Sequence, residues 1–330
     1  MSRSDRRARH SAPTDAQLLE LFHLRACGRL LGSTVRHRGG MNSWDEPFLA
    51  TRLSVMSRAE LLACGATSRG LTAAVKLGHL VRARRDHYCL PDIGQDARHA
   101  VRVGGRIGCV SALKSYGVFA YDTSRTHIHL ARTTSRLRAP TTRLQPLTQS
   151  NRRSVVLHWL PLFEQDESDE YRVGLLDALA QSICCQHPWH ALASVDNALN
   201  LGLIDESDVA AIFECIPVRH HYLKSLVDGR AEAGQETVLR MIVRERGFQY
   251  ELQPIFDGIG RADILVEKCT ILEADSRAHH DGWERHVVDR ERDLRFAQLG
   301  YPSLRPAYQH TMHHPQLVGD AIAGLVNGRR

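Results

Sequence analysis

Residues 261–275 read RADILVEKCTILEAD. Two runs of β-branched and aliphatic residues flank a polar centre, which predicts a hairpin turning about Lys268. In that register Ile264 pairs with Leu272, and Asp263 lies opposite Glu273 with Cβ atoms about 5 Å apart. Strand alternation puts Asp275 on the same face as these acids, while Ile264, Val266, Leu272 and Ala274 turn toward a core. Clustered carboxylates repel and raise one another's pKa unless a cation intervenes. A hard divalent ion with oxygen ligands answers that repulsion, so Mg²⁺ (or Mn²⁺) is the expected cofactor. The competing expectation is pairing with Arg261, Arg277 and nearby arginines.

The flanking sequence builds an α/β domain around this hairpin. Residues 236–246 have helical spacing, with Val238, Leu239, Ile242 and Val243 inward and Gly247 as the stop. Glu236 falls in the first turn, where the helix dipole favours a carboxylate. FQYELQPI (248–255) alternates as a strand, and Asp257-Gly258 turns the chain. A helix is predicted from Trp283 to Leu299, with a basic side of Arg285, Arg290, Arg292 and Arg295. Val287, Leu294 and Ala297 are expected to face inward. Arg290 and Arg292 are positioned either for backbone phosphate or for intrahelical pairs with Asp289, Glu291 and Asp293. HTMHHP (310–315) reads as a loop.

These residues resemble the PD-(D/E)XK nuclease superfamily, in the branch near very-short-patch-repair endonucleases. The match is carried by Glu236, by Asp263 in GRADILV, by Glu273 in ILEAD, by His279-His280, and by DRERDLRFAQLGYPSLR (289–305). The resemblance implies a Mg²⁺-dependent phosphodiesterase with Asp263 and Glu273 as metal ligands and Glu236 assisting. His280, or else His279, would move a proton or contact phosphate. Asp275 stands where the wider superfamily has lysine. Ser276 replaces the glycine usual in this branch, costing about 1 kcal/mol if the turn needs positive φ.

At the other end, residues 57–91 read SRAELLACGATSRGLTAAVKLGHLVRARRDHYCLP. Ser57 and Glu60 form a capping-box pattern for a short helix closed by Gly65. Ser68 caps a second helix ending before Gly78. Residues 80–83 and 87–90 then make a two-stranded wing around Arg84-Arg85-Asp86. The small-residue turn, the GHLVR exit and the Y-x-L-P close resemble the winged helix-turn-helix of AbiEi-type antitoxins. In such folds the second helix enters the major groove and the wing meets phosphate. The resemblance therefore implies DNA contacts from Arg69, Lys76, Arg82, Arg84 and Arg85.

Charge distribution agrees with a polyanionic partner at this end. Residues 69–106 carry eight basic and three acidic side chains, whereas residues 161–210 carry ten acids and one base. Overall the 330-residue chain has a formal charge of +6 and 43% hydrophobic residues, normal for two or three globular domains. The eight cysteines never form CxxC, which fits reduced thiols in a cytoplasm. Cys184, Cys185, His187 and His190 read as a packed helix end before they read as a metal site. No run of about 18 apolar residues exists for a membrane span, and the basic amino terminus lacks a secretory apolar core.

The sequence thus divides into a basic tail and leading helix (1–55), a winged helix-turn-helix (56–95), a middle linking domain (96–228) and a nuclease-like domain (229–330). The expected protein is an α/β multidomain, DNA-binding endonuclease with a toxin, repair or defence partner. The alternative expectation is a non-catalytic repressor or antitoxin that uses the nuclease fold for interaction.

Overall fold

The computed structural model describes residues 43–122, 124–163, 168–274 and 283–329, with side chains omitted at 283–286. It is a mixed α/β protein of helices and small sheets. The chain divides into two compact units, residues 1–116 with 122–181, and residues 117–121 with 182–330. The expected middle segment is therefore shared between the units. Among the described residues no helix is long and apolar enough to cross a membrane. The expected tail and most of the leading segment lie outside the described residues.

The first unit opens with α1 (Asp45–Thr51), β1 (Val55–Ser57), α2 (Arg58–Ala63) and α3 (Ser68–Lys76). Ser57 and Glu60 cap α2 reciprocally: the Ser57 hydroxyl accepts from the Glu60 N–H at 3.1 Å, and the Glu60 carboxylate accepts from the Ser57 N–H at 2.6 Å. The α3 cap is Thr67 rather than Ser68, because Thr67 is extended and its Oγ1 accepts the Gly70 N–H at 3.0 Å. The hairpin of β2 (Val81–Arg84) and β3 (His87–Cys89) follows, with the turn at Arg85-Asp86. Its sheet has three strands, not two, since β1 pairs with β3 in the order β1-β3-β2. Phe48, Met56, Leu61, Leu71, Ala74, Leu80 and Tyr88 form the core beneath.

Next come α4 (Gln95–Val103), β4 (Arg106–Ile107), α5 (Cys109–Ser115), β5 (Thr126–His129) and β6 (Val155–His158). β4 is antiparallel and β6 parallel to the central β5. Thr126 and Ile128 alternate with His127 and His129, so both sheet faces are populated. Gly108 permits a close approach there: a Cβ on it would lie 2.4 Å from Gln181 Oε1, which instead accepts the Cys109 N–H at 3.1 Å. The unit boundary falls within α6 (Leu175–Cys185).

The second unit contains α7 (Pro188–Asn200), α8 (Glu206–Cys215), a 3₁₀ segment (Val218–Leu226) and α9 (Gly234–Glu245). His187 accepts the Trp189 N–H as the α7 cap, with Pro188 in the first turn, as expected of a helix end. The strands are β7 (Tyr250–Leu252), β8 (Ile255–Phe256), β9 (Gly260–Arg261), β10 (Ile264–Val266) and β11 (Thr270–Leu272). Then follow α10 (Trp283–Gln298), β12 (Ser303–Leu304), α11 (Tyr308–His313) and α12 (Pro315–Asn327). HTMHHP is helical up to His313, not a loop. Burial of Thr311 and Met312 on the inner side of α11 accounts for the difference, with Pro315 starting the next helix.

The main sheet of this unit runs β12-β11-β10-β7 and is mixed, β12 being parallel to β11. The β10–β11 register is the one the sequence predicts: Ile264↔Leu272, Leu265↔Ile271 and Val266↔Thr270. Ile264, Val266 and Leu272 pack with Val238, Leu239, Ile242 and Val243 of α9 and with Val318, Ile322 and Val326 of α12. The opposite sheet face is also covered, where Leu265 and Ile271 meet Ala262 and Phe296 of α10. The expected inward residues of α10 are wrong: Val287 and Leu294 are exposed at 45% and 66%, Ala297 is exposed, and Phe296 is the buried apolar anchor.

Candidate carboxylate site and basic surfaces

Glu236 in the first turn of α9 and Asp263 just before β10 line one cavity. That cavity measures about 10 Å³, room for roughly one water-sized ligand, and Arg230, Arg240 and Gln253 also line it. The Glu236 carboxylate caps its own helix, accepting the Glu232 and Ala233 N–H groups at 3.0 Å each. Burial, reinforced by the charge of Asp263, nevertheless pushes its pKa up to about 7. Asp263 Oδ2 accepts the Ala274 N–H at 2.7 Å, a bond that fastens the start of β10 to the chain leaving β11. Burial also raises the Asp263 pKa, against the opposing pull of that hydrogen bond and of Arg292, Arg305 and Arg261.

Glu273 follows β11 and is only 4% exposed. Its pKa is raised by burial and by Asp263, and lowered by Arg305 and Arg292. Arg292 reaches Glu273 Oε1 at 2.9 Å, and Arg305 ion-pairs with Oε2. Neither contact has hydrogen-bond geometry at every atom, for Glu273 Oε1, Arg292 Nε and Arg305 Nη2 are buried without a hydrogen-bond partner. Arg305 also donates from Nε to Asp293 Oδ1 at 2.7 Å. Arg292 further donates to the Arg261 carbonyl, whereas Arg290 is half exposed and pairs with Asp293 at 3.2 Å.

Glu236 and Asp263 offer hard carboxylate oxygens, the donor type that magnesium or manganese takes. Glu273 is met by Arg292 and Arg305, neither of which is the Arg261 or Arg277 named as a competing partner; Arg261 ion-pairs with Glu232 instead. Asp275, Ser276, His279 and His280 lie outside the described residues, as do the Arg277 and Arg285 side chains. Among the described residues the tight grouping of metal-ligand types is at Cys109, His127 and His158 in the first unit, not at these carboxylates. Arg305 was missing from the sequence-predicted site. Parallel pairing of Leu272 with Leu304 puts residue 305 next to residue 273, so the final strand carried the signal.

In the first unit Arg69 and Lys76 are exposed on one face of α3, with Thr72 and Ala73 between them. Arg85 projects from the hairpin tip, 86% exposed, with Asp86 at 3.6 Å. Arg82 is half-buried near the Tyr88 ring, 5.9 Å from its centroid. Arg84 is directed inward and donates to the carbonyls of Val103, Ser135 and Arg136. Its guanidinium is thereby committed to the fold. Sequence reading also missed an open groove of about 770 Å³ along the edge strand β6, lined by Arg125, Arg152, Arg153 and Trp159.

In comparison with known proteins, no family model matches the chain, and no curated protein matches it in sequence.

Proposed function

We propose that this protein is a DNA-binding, metal-dependent phosphodiesterase, with a winged-helix reader in its first unit and a PD-(D/E)XK-type nuclease site in its second. The observation that carries the reading is the shared cavity of Glu236 and Asp263, two half-buried carboxylates each held above the ordinary range. Two repelling acids at one small cavity are costly to a fold without a ligand, and functional sites accept that cost. Glu236 and Asp263 would hold Mg²⁺ or Mn²⁺, with Glu273 able to join only by loosening Arg292 or Arg305. The bound ion supplies Lewis acidity toward water and phosphate. Asp275 and His280 keep the roles that the family resemblance implies. Arg69, Lys76 and Arg85, together with the arginine groove along β6, provide cationic surface for the duplex.

The test is nicking of supercoiled, mismatched and single-stranded DNA in Mg²⁺ and in Mn²⁺. Asp263→Asn keeps an oxygen acceptor for the Ala274 N–H while removing charge, so it should lose cleavage and retain DNA binding. Absence of cleavage by the native chain on every substrate overturns the catalytic reading.

One observation favours a second reading, a repressor or antitoxin with a catalytically idle nuclease fold. The Glu273 charge is already met by two guanidinium groups, as in a site whose ion has been replaced by arginine. Under that reading DNA binding is independent of divalent ions, and a toxin encoded nearby is the partner to be neutralised.

A further inference from the structure

We infer that the first unit contains a zinc site built from Cys109, His127 and His158, separate from the carboxylate site and from any DNA cleavage. One ligand atom from each of the three, the thiol sulfur and a ring nitrogen apiece, lies within 4.8 Å of the others. The two imidazoles face each other with His127 Nδ1 and His158 Nε2 at 3.0 Å, and their rings are stacked with centroids 5.1 Å apart. Two nitrogens on one tetrahedral zinc stand about 3.3 Å apart, given Zn–N bonds near 2.0 Å. The arrangement is thus within a few tenths of an ångström of a ligating pair.

The fold delivers these groups from three separate elements. Cys109 opens α5 and is fully buried, and its backbone N–H is fixed by Gln181 Oε1. His127 lies on the central strand β5, its N–H held by Ser111 Oγ at 2.9 Å. His158 closes β6, the parallel neighbour of β5. A thiolate with two imidazoles is the ligand softness that selects zinc over magnesium or calcium. An ion here would tie α5 to β5 and β6, two of the three strands of the sheet that carries the arginine groove.

The experiment uses the full chain, purified from zinc-supplemented medium, for metal analysis and for Co²⁺ substitution followed by absorption. The expected result is one zinc per chain and, with Co²⁺, tetrahedral d–d bands plus a thiolate charge-transfer band. His158→Gln, at a half-buried position, and Cys109→Ser should each weaken zinc binding at least about tenfold. Circular dichroism identifies any variant that fails to fold, and His158→Gln is the decisive one if Cys109→Ser does. An ordinary imidazole–imidazole hydrogen bond gives no bound zinc and no charge-transfer band, which overturns the inference. Undiminished stoichiometric zinc in folded His158→Gln overturns it equally.

Discussion

Replacing Arg240 by methionine tests the electrostatic brace behind the carboxylate cavity. Arg240 Nη2 lies 2.7 Å from Asp196 Oδ2, and the two side chains are 4% and 0% exposed. Asp196 also accepts the Asp228 N–H at 2.8 Å and the Thr237 hydroxyl at 2.8 Å. Even so, burial outweighs these partners and raises its pKa from 3.8 to about 6. Folded protein therefore takes up this proton before unfolded protein does. The stability linked to it is fully present below the unfolded pKa of 3.8 and is lost as pH rises through about 6. Removing Arg240 takes away the main charge that favours ionised Asp196, so the folded pKa moves higher still. At pH 8 the variant must keep a buried carboxylate unpaired or protonate it, a loss of about 3–5 kcal/mol. At pH 5 Asp196 is already largely neutral in both proteins, and the deficit shrinks to about 1–2 kcal/mol, the value of the hydrogen bonds alone. Urea unfolding of the full chain at the two pH values measures the difference. Asp196→Asn combined with Arg240→Met should recover part of the pH 8 loss. Equal deficits at pH 5 and pH 8, or a deficit below about 1 kcal/mol at pH 8, would refute the reasoning.

Phe296→Ala should cost about 3–5 kcal/mol in thermal or urea unfolding, whereas Leu294→Gln stays within about 0.5 kcal/mol. Similar losses from both would reverse the assigned face of α10. Arg85→Ser should leave stability unchanged and reduce the salt slope of DNA binding by about one, measured by fluorescence anisotropy across a salt series. Arg84→Met should instead destabilise the fold by about 1–3 kcal/mol, since it strands three carbonyls, and leave that slope intact. Ser57→Ala removes one half of the α2 capping box and should lower stability by about 1 kcal/mol, read by urea unfolding.

Local signals carried much of the architecture. The capping pair Ser57 and Glu60 starts α2 where it is read, because that signal depends only on residues three apart. The β10–β11 register was legible because a one-residue slip would turn Ile264, Val266 and Leu272 away from α9. Its turn was less obvious: Glu267 and Lys268 both adopt positive φ, 48° and 54°, without a glycine. The Glu267 carboxylate accepts the Gln249 N–H at 2.9 Å, a link to the neighbouring strand that helps hold the turn. Features made by distant partners were not legible. The third strand of the β1-β3-β2 sheet, Val55–Ser57, is too short to announce itself and exists by pairing with β3.

The candidate site shows why periodicity misread α10. A helix laid over a wholly apolar sheet face presents an apolar stripe to it, and Val287 with Leu294 supplies that pattern on paper. The face beneath α10 is not wholly apolar, because Glu273 is buried at its edge beside Leu265 and Ile271. A buried carboxylate needs an opposite charge more strongly than a leucine needs burial. Arg292 therefore turns inward one helical turn before Phe296, with its guanidinium 5.6 Å from the centroid of that ring, and Leu294 is left outside. Arg305 arrives at the same carboxylate from the next strand. The acids at 263 and 273 were visible from two residues and an alternation rule, but their neutralisation required knowing that a helix and a parallel strand converge on them. Under the proposed phosphodiesterase reading, cleavage would turn on whether Glu273 can release an arginine when Glu236 and Asp263 take up an ion, and an Arg305→Met chain that cuts DNA faster than the native one would show that it must.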